Sequence, residues 1–263
     1  MFLSKERFAT TGVGFSKKEI ALHKGISDLK YYLIIMYLRI HIEGGGLVRT
    51  SLLDISTECG YSSTSARRQT FYDDWRSVLS DIVATKGTTC NKDISNVTPT
   101  EQFEIQFNDE DNPFYTDDSF VFIMKKEFDA IINSDVKNKS VLIGVYLYIK
   151  QFIIDTPLSP GMAYPTKQQI KNGIGLSSTT TVKSAIDTLV ELQLLHMYSD
   201  FYIEDSVVAG TYIPASNIYS LQPLKIESCI QTLESKYGKP VYTKDTVPGI
   251  IKFLNNNQNT KQN

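Results

Sequence analysis

Two segments of the chain are mostly apolar and predict helices that pack against other elements. They are "DLKYYLIIMYLRIHIE" at residues 28–43 and "KSVLIGVYLYIKQFI" at residues 139–153. In the first segment, apolar residues lie on most sides of the helix. In the second, they form one face. That face consists of Leu142, Val145, Tyr146, Ile149 and Phe152.

Each apolar segment is followed by a pattern of a short helix, a glycine turn and a longer amphipathic helix. The short helices are predicted at residues 50–61 and 165–176, and they end at Gly60 and Gly175. The longer helices carry apolar residues at helical spacing. These are Phe71, Trp75, Val78, Leu79 and Ile82 in the first half, and Leu176, Val182, Ile186 and Leu189 in the second.

Alternating apolar and polar residues then predict strands. "FEIQF" at 103–107 and "FVFIM" at 120–124 are predicted to pair as one hairpin, and residues 196–203 and 217–221 as a second. The order predicts a mainly α fold with small β-hairpins (α+β), arranged as two tandem winged helix-turn-helix domains. The predicted divisions are an N-terminal winged-helix-like domain at 1–110, a C-terminal winged-helix domain at 111–223, and a short helix with a flexible polar tail at 224–263.

The two glycine turns open a motif that occurs twice, as "GYSSTSARR" at 60–68 and "GLSSTTTVK" at 175–183. The copies share Gly, Ser, Ser and Thr, and Arg68 aligns with Lys183. In a helix-turn-helix, the second helix lies in the DNA major groove. Glycine permits a left-handed turn before that helix, hydroxyls cap its start and approach phosphate, and a cation reaches a phosphate or a guanine edge.

The motif therefore supplies candidate DNA contacts. In the second half, the predicted apolar stripe leaves the start of the helix exposed, and lysines on the preceding helix lie near the flanking DNA backbone. The candidates there are Ser178, Thr179, Thr180, Lys183, Ser184, Lys167 and Lys171. In the first half they are Ser63, Thr64, Arg67, Arg68 and Gln69, where arginine and glutamine suit guanine and adenine. Two structural readings stay open: the hydroxyls are ordinary helix caps, and the first-half cations are a solvated face, with Arg67 aligned to the core position Val182.

Composition narrows the function further. The chain has 263 residues with 27 basic and 29 acidic side chains, a formal charge of -2, so any DNA contact depends on a local basic patch. Cys59, Cys90 and Cys229 form no CxxC pair, which favours a reducing cytoplasm. The most apolar run, at 31–38, is too short to cross a bilayer, so a cytoplasmic protein with no membrane partner is expected.

No pattern for catalysis or cofactor binding is found. His23, His41 and His196 lie far apart and no histidine or cysteine pair has metal-ligand spacing. The sequence contains no GxSxG motif and no P-loop. We therefore expect no enzyme activity, no metal and no cofactor.

Three stretches carry a resemblance to a known family: "KKEFDAIINSDVKNKSVLIGVYLYIK", "PTKQQIKNGIGLSSTTTVKSAIDTLVELQLL" and "NIYSL". This block, at about 120–222, resembles the winged-helix domains of replication initiator proteins from plasmids of low-GC Gram-positive bacteria and of related phage replisome organisers. Gln193 stands where such sequences usually carry glycine.

The resemblance implies a protein that binds repeated origin sites in double-stranded DNA as a homodimer and recruits host replication proteins. It assigns the recognition role to Thr179, Thr180 and Lys183. Two alternatives stay open from the residues, a DNA-binding transcriptional regulator and a non-enzymatic interaction adaptor built from winged helices.

Overall fold

A computed structural model describes residues 12–43, 45–61, 69–108, 120–153 and 161–252. Of these residues, 45% are helical and 18% are in strands, so the fold is mixed, with helices and small sheets. The chain forms two compact units. Unit 1 contains residues 1–151 and 167–194, and unit 2 contains residues 152–166 and 195–263.

The helices of the described ranges begin and end as follows: α1 Lys17–Leu22, α2 Lys30–His41, α3 Leu52–Glu58, α4 Gln69–Thr85, α5 Lys125–Ile132, α6 Lys139–Lys150, α7 Lys167–Gly173, α8 Thr179–Glu191 and α9 Ile226–Tyr237, with a 3-10 turn at Ile94–Asn96. The strands are β1 Val13–Ser16, β2 Leu47–Thr50, β3 Thr88–Cys90, β4 Phe103–Phe107, β5 Phe120–Ile123, β6 His196–Tyr198, β7 Phe201–Glu204, β8 Thr211–Pro214, β9 Ile218–Ser220, β10 Val241–Thr243 and β11 Ile250–Ile251.

The element order repeats. A strand, a short helix and a long buried helix (β1, α1, α2 and then β5, α5, α6) precede a short helix and an amphipathic helix (α3, α4 and then α7, α8). In the first repeat, the sheet order is β2-β4-β3. In the second, Ala163 pairs with Tyr219 of β9, and β9 also pairs with β6. Ala163, β9 and β6 therefore correspond to β2, β4 and β3 of the first repeat.

The centre of unit 1 is the contact between α2 and α6. Every residue of α2 from Lys30 to Arg39 is buried, and so is α6 from Lys139 to Leu147. Helices that are apolar all round need neighbours on all sides. α2 therefore also packs on α4, and α6 on α8, so both repeats share one core.

β1 and β5 pair antiparallel, from Val13 opposite Ile123 to Ser16 opposite Phe120. β4 instead lies between β2 and β3. The predicted hairpin of residues 103–107 and 120–124 is therefore wrong. Both strands are present, but β4 pairs with β2 and β3, and β5 pairs with β1. The alternation of side chains does not determine which strands pair.

The two glycine turns of unit 1 make reciprocal contacts. Gly60, after α3, packs on Ile132 and Lys139, which flank the start of α6. Gly175, after α7, packs on Lys24 and Gly25, just before α2, where the Gly25 amide donates to the Ile174 carbonyl at 2.9 Å. The glycine turn of each repeat therefore packs near the start of the long buried helix of the other repeat, which is α6 for Gly60 and α2 for Gly175.

A second duplication lies at the start of each repeat, where Lys-Lys-Glu opens α1 at residues 17–19 and α5 at residues 125–127. Glu19 accepts hydrogen bonds from Lys86 at 2.5 Å and from the Tyr31 hydroxyl at 2.7 Å. The carboxylate of Glu127, on α5, likewise accepts from a lysine of α6 at 2.9 Å and from a tyrosine hydroxyl of α6 at 2.6 Å. Both carboxylates are mostly buried and tie a short helix to the shared core.

The described part of unit 2 consists of strands and the helix α9. The sheet order is β10-β7-β8-β11, in which β11 runs parallel to β8. α9 ends at Gly238 in the left-handed conformation, at φ 66°. The core consists of Phe201, Ile203, Ile218, Cys229, Leu233 and Val241.

These units divide the chain at other points than the predicted domains 1–110, 111–223 and 224–263. Helices α5 to α8 belong to the same unit as α1 to α4, because α6 is buried against α2 and α8. The strands β6 to β9 belong with α9, whose Cys229 and Leu233 lie in their core.

Gln193 adopts a left-handed backbone at φ 56°, which costs a residue with a side chain about 1 kcal/mol relative to glycine. We expect Gln193→Gly to stabilise unit 1 by about 0.5–1 kcal/mol, measured as the shift of the urea midpoint. Gln193→Ala keeps the strain and serves as the control. Equal midpoints for the two variants would contradict this account.

Burial alone would raise the pKa of the Glu19 carboxyl, but hydrogen bonds from Lys86, the Ser16 amide and Tyr31 lower it overall. A lowered pKa stabilises the fold above the ordinary value of 4.5, and this contribution disappears as the pH falls through the folded pKa. We expect Glu19→Gln to cost about 2 kcal/mol at pH 7 and less below pH 4.5 in urea unfolding.

Glu104→Gln is the control for this measurement, because its ion pair with Arg49 is exposed and contributes roughly 0–1 kcal/mol. A loss of stability in Glu19→Gln that stays constant with pH would mean that the carboxylate is not what stabilises this contact.

Candidate nucleic-acid interface

The start of α8 is formed by a glycine turn and a hydroxyl cap. Gly175 adopts φ 68°, and the Leu176 amide donates to the Lys171 carbonyl at 2.9 Å, which closes α7. The Ser178 hydroxyl then accepts a hydrogen bond from the Thr180 amide at 3.1 Å. The direction of α8 is thus fixed before its first turn.

The face of α8 that the sequence predicts to be buried is buried. Val182, Ile186 and Leu189 lie in the core, as does Leu176 in the turn before α8. The opposite side of the first two turns is exposed and carries Thr179, Thr180, Lys183 and Ser184, as the stripe predicts. Ser178 is half-buried, because its hydroxyl caps the helix.

An ion pair modifies the charge of this surface. The Lys183 ammonium lies 2.6 Å from the Asp187 carboxylate one turn along α8, and both side chains are exposed. A pair of this kind is weak in water. A stronger anion such as a phosphate can therefore compete with Asp187 for Lys183.

Lys167 and Lys171 lie four residues apart on α7 and are half-buried. Neither makes an ion pair with another described residue. They precede the same glycine turn, so α7 and the exposed start of α8 place three lysines on consecutive elements of unit 1.

The first-half candidates have a different outcome. Gly60 adopts φ 81°, as the turn requires, and α4 begins at Gln69. Ser63, Thr64, Arg67, Arg68 and the side chain of Gln69 lie outside the described residues. Further along α4, the predicted stripe is buried at Trp75, Val78, Leu79 and Ile82, and half-buried at Phe71.

Two lysines from a later part of the chain lie at the β7–β8 hairpin of unit 2. No lysine or arginine lies between residues 197 and 220. Lys239 nevertheless donates to the Glu204 carbonyl at 3.0 Å, and Lys252 lies 3.7 Å from Asp205. Strand pairing after α9 places both lysines at the β7–β8 hairpin, and nothing in the pattern of residues 196–221 predicts that pairing.

In the described ranges, no group of three histidine, cysteine or acidic side chains could hold a metal. Burial raises the pKa of the Cys59 thiol well above its usual range and also raises that of Cys90, which disfavours reactive thiolates. No helix there has the length and apolarity needed to span a bilayer.

Comparison with known proteins gives no assignment: no protein-family model matches the chain, and no curated protein sequence matches it significantly.

Substitution of Ser178 and of Ser177 compares a hydroxyl that caps α8 with an exposed hydroxyl that does not. Because only Ser178 caps α8, we expect Ser178→Ala to cost about 1 kcal/mol of unfolding free energy. Ser177→Ala should change it by less than about 0.5 kcal/mol. Urea unfolding measures both, and equal losses would show that the Ser178 cap is not stabilising.

Proposed function

We propose that the protein is a sequence-specific double-stranded DNA-binding protein built from two winged helix-turn-helix repeats. The main support is the start of α8, where a left-handed glycine turn and a capped helix expose Thr179, Thr180 and Lys183. Small hydroxyls and a cation on the first two turns of such a helix fit phosphate and base edges in the major groove.

The strand order supports the winged-helix assignment. In the first repeat, β2 precedes the helix pair α3 and α4, and β3 and β4 follow it. β4 pairs with both β2 and β3. In the second repeat, Ala163 and β6 both pair with β9, so they correspond to β2 and β3, and β7 and β8 lie between β6 and β9 along the chain.

A shared core favours one chain as the carrier of two reading helices. α2 and α6 cover each other within unit 1, so their apolar faces need no second copy of the chain. Two recognition helices on one body raise each other's effective concentration at a site with two half-sites. The resemblance implies a homodimer, and the symmetry of the DNA site would show whether one chain or two chains supply the recognition helices.

For the biological role, we propose replication initiation on a plasmid or phage. The resemblance of residues 120–222 carries this step, and Gln193 in its left-handed conformation occupies the position where such sequences usually carry glycine. Recruitment of host replication proteins belongs to the same proposal. A transcriptional regulator would use the same DNA contacts, and binding sites clustered at an origin distinguish the initiator.

DNA recognition is tested by selecting fragments from a random duplex library with the purified protein at about 0.15 M salt, which already weakens purely electrostatic binding. We expect one enriched motif spanning about two helical turns. An unenriched pool would overturn DNA reading and favour the interaction adaptor.

The selected site then tests α8. Because Asp187 neutralises Lys183, we expect Asp187→Asn to strengthen binding about threefold and Lys183→Ala to weaken it about tenfold, measured by fluorescence anisotropy. Lys126→Ala, which removes an exposed lysine of α5 in the same unit, is the control. Binding that is unaffected by either α8 variant would place the contact surface elsewhere.

A further inference from the structure

A groove of about 580 Å³ lies in unit 2 along one face of α9. Ser228, Thr232 and Ser235 line it from the helix at intervals of four and three residues, so their side chains lie in one row. Gln231 borders the row, Tyr164 lines the groove from another segment, and Lys236 lies at its end.

The row offers hydrogen-bond donors. The hydroxyls of Ser228 and Ser235 make no hydrogen bond with another described residue, whereas Thr232 donates to the Ser228 carbonyl at 2.9 Å. No acidic side chain lines the groove. Glu234 of the same helix is occupied elsewhere, because its carboxylate accepts from the Val241 amide at 3.2 Å.

Lys236 is held in place without a carboxylate. Its ammonium lies 4.3 Å from the ring centre of Tyr164 and 5.0 Å from that of Tyr237, and it donates to the Ser216 hydroxyl at 2.8 Å. No described carboxylate forms an ion pair with it. A cation fixed by aromatic rings and a hydroxyl keeps its charge available for an anion and loses little side-chain entropy on binding.

Tyr237 lies beside the same cation and also contacts Ser216. Burial by itself would raise the pKa of Tyr237, yet hydrogen bonds from Ser216 and the Lys236 ammonium lower it overall. The groove therefore combines the Lys236 ammonium with free hydroxyl donors, which is the chemistry that binds phosphate.

We propose that this groove binds phosphates of a nucleic-acid backbone, so that unit 2 contributes a contact separate from α8; this rests on the proposed function. Lys236 supplies the charge, and Ser228 and Ser235 donate to phosphate oxygens. A groove several residues long along α9 suits a chain of phosphates better than a single buried anion, because it is open along the helix face.

The test compares Lys236→Gln with Lys225→Gln, which removes an exposed lysine at the start of the same helix but outside the groove. Duplex binding is measured by anisotropy over a range of salt concentrations. We expect Lys236→Gln to weaken binding roughly fivefold at 0.1 M salt and to reduce the slope of log K against log salt by about one, with no change in slope for Lys225→Gln. Duplex binding that is equal in all three proteins would overturn the groove as a DNA contact and leave the α8 proposal standing.

A second measurement reads the groove directly. Inorganic pyrophosphate is titrated into the full chain, and amide NMR shifts are expected at Ser228, Thr232 and Ser235 in the wild type but not in Lys236→Gln. No shift at these amides would overturn phosphate binding by the groove. Pyrophosphate shifts in a protein that binds no duplex would overturn both the DNA function and the nucleic-acid ligand, and would identify a free phosphate compound instead.

Discussion

The mutual burial of α2 and α6 is the constraint on which unit 1 depends. Both helices are apolar on nearly all sides, and burying each large apolar side chain contributes about 1.5–3 kcal/mol. Neither helix can therefore be the outer element of an independent domain. Gly144 adds to this closeness, since a side chain there would collide with Leu29 just before α2.

Once α2 and α6 face each other, the remaining contacts of unit 1 follow in pairs. β1 meets β5, and each glycine turn packs on the start of the other repeat's long helix. Reciprocal contacts of this kind are what an isologous interface between two identical subunits contains. Here both partners belong to one chain, and this places α4 and α8 in equivalent positions of a common core.

The sequence predicts what local pattern determines. The positions of α2, α6 and α8, the buried Val182 and Leu189, and the left-handed Gly60 and Gly175 follow from spacing and residue type. The helix ends do not: α6 ends at Lys150 and not at 153, so Phe152 of its predicted apolar face is exposed. Partner choice does not follow, because β4 and β5 alternate equally well in a hairpin or in separate sheets. The repeated Lys-Lys-Glu at residues 17–19 and 125–127 was a signal for the duplication, since both copies begin a helix within two residues of the end of a strand.

The candidate site was predictable to the same extent. Exposure of Thr179, Thr180 and Lys183 follows from the helical period, whereas the hydroxyl row on α9 is invisible without its neighbours. Lys236 reads in the sequence as one more basic residue in the last turn of a helix. Its position over Tyr164, which precedes it by about seventy residues, comes only from the packing of unit 2.

The net charge and the ion pair of Lys183 limit the electrostatic part of DNA affinity at the proposed interface. The chain has a formal charge of -2, and Lys183 is paired with Asp187, so few counterions are released when phosphate replaces that carboxylate. Under the proposed function, unspecific affinity is then low, and hydroxyl contacts to base edges carry a larger share of the binding energy. The binding free energy of such a protein is small on random DNA. It is largest where two half-sites contact both repeats at once, because the second contact costs no further loss of translational freedom. A repeated or two-part site is therefore the target that this arrangement of weak, localised contacts favours.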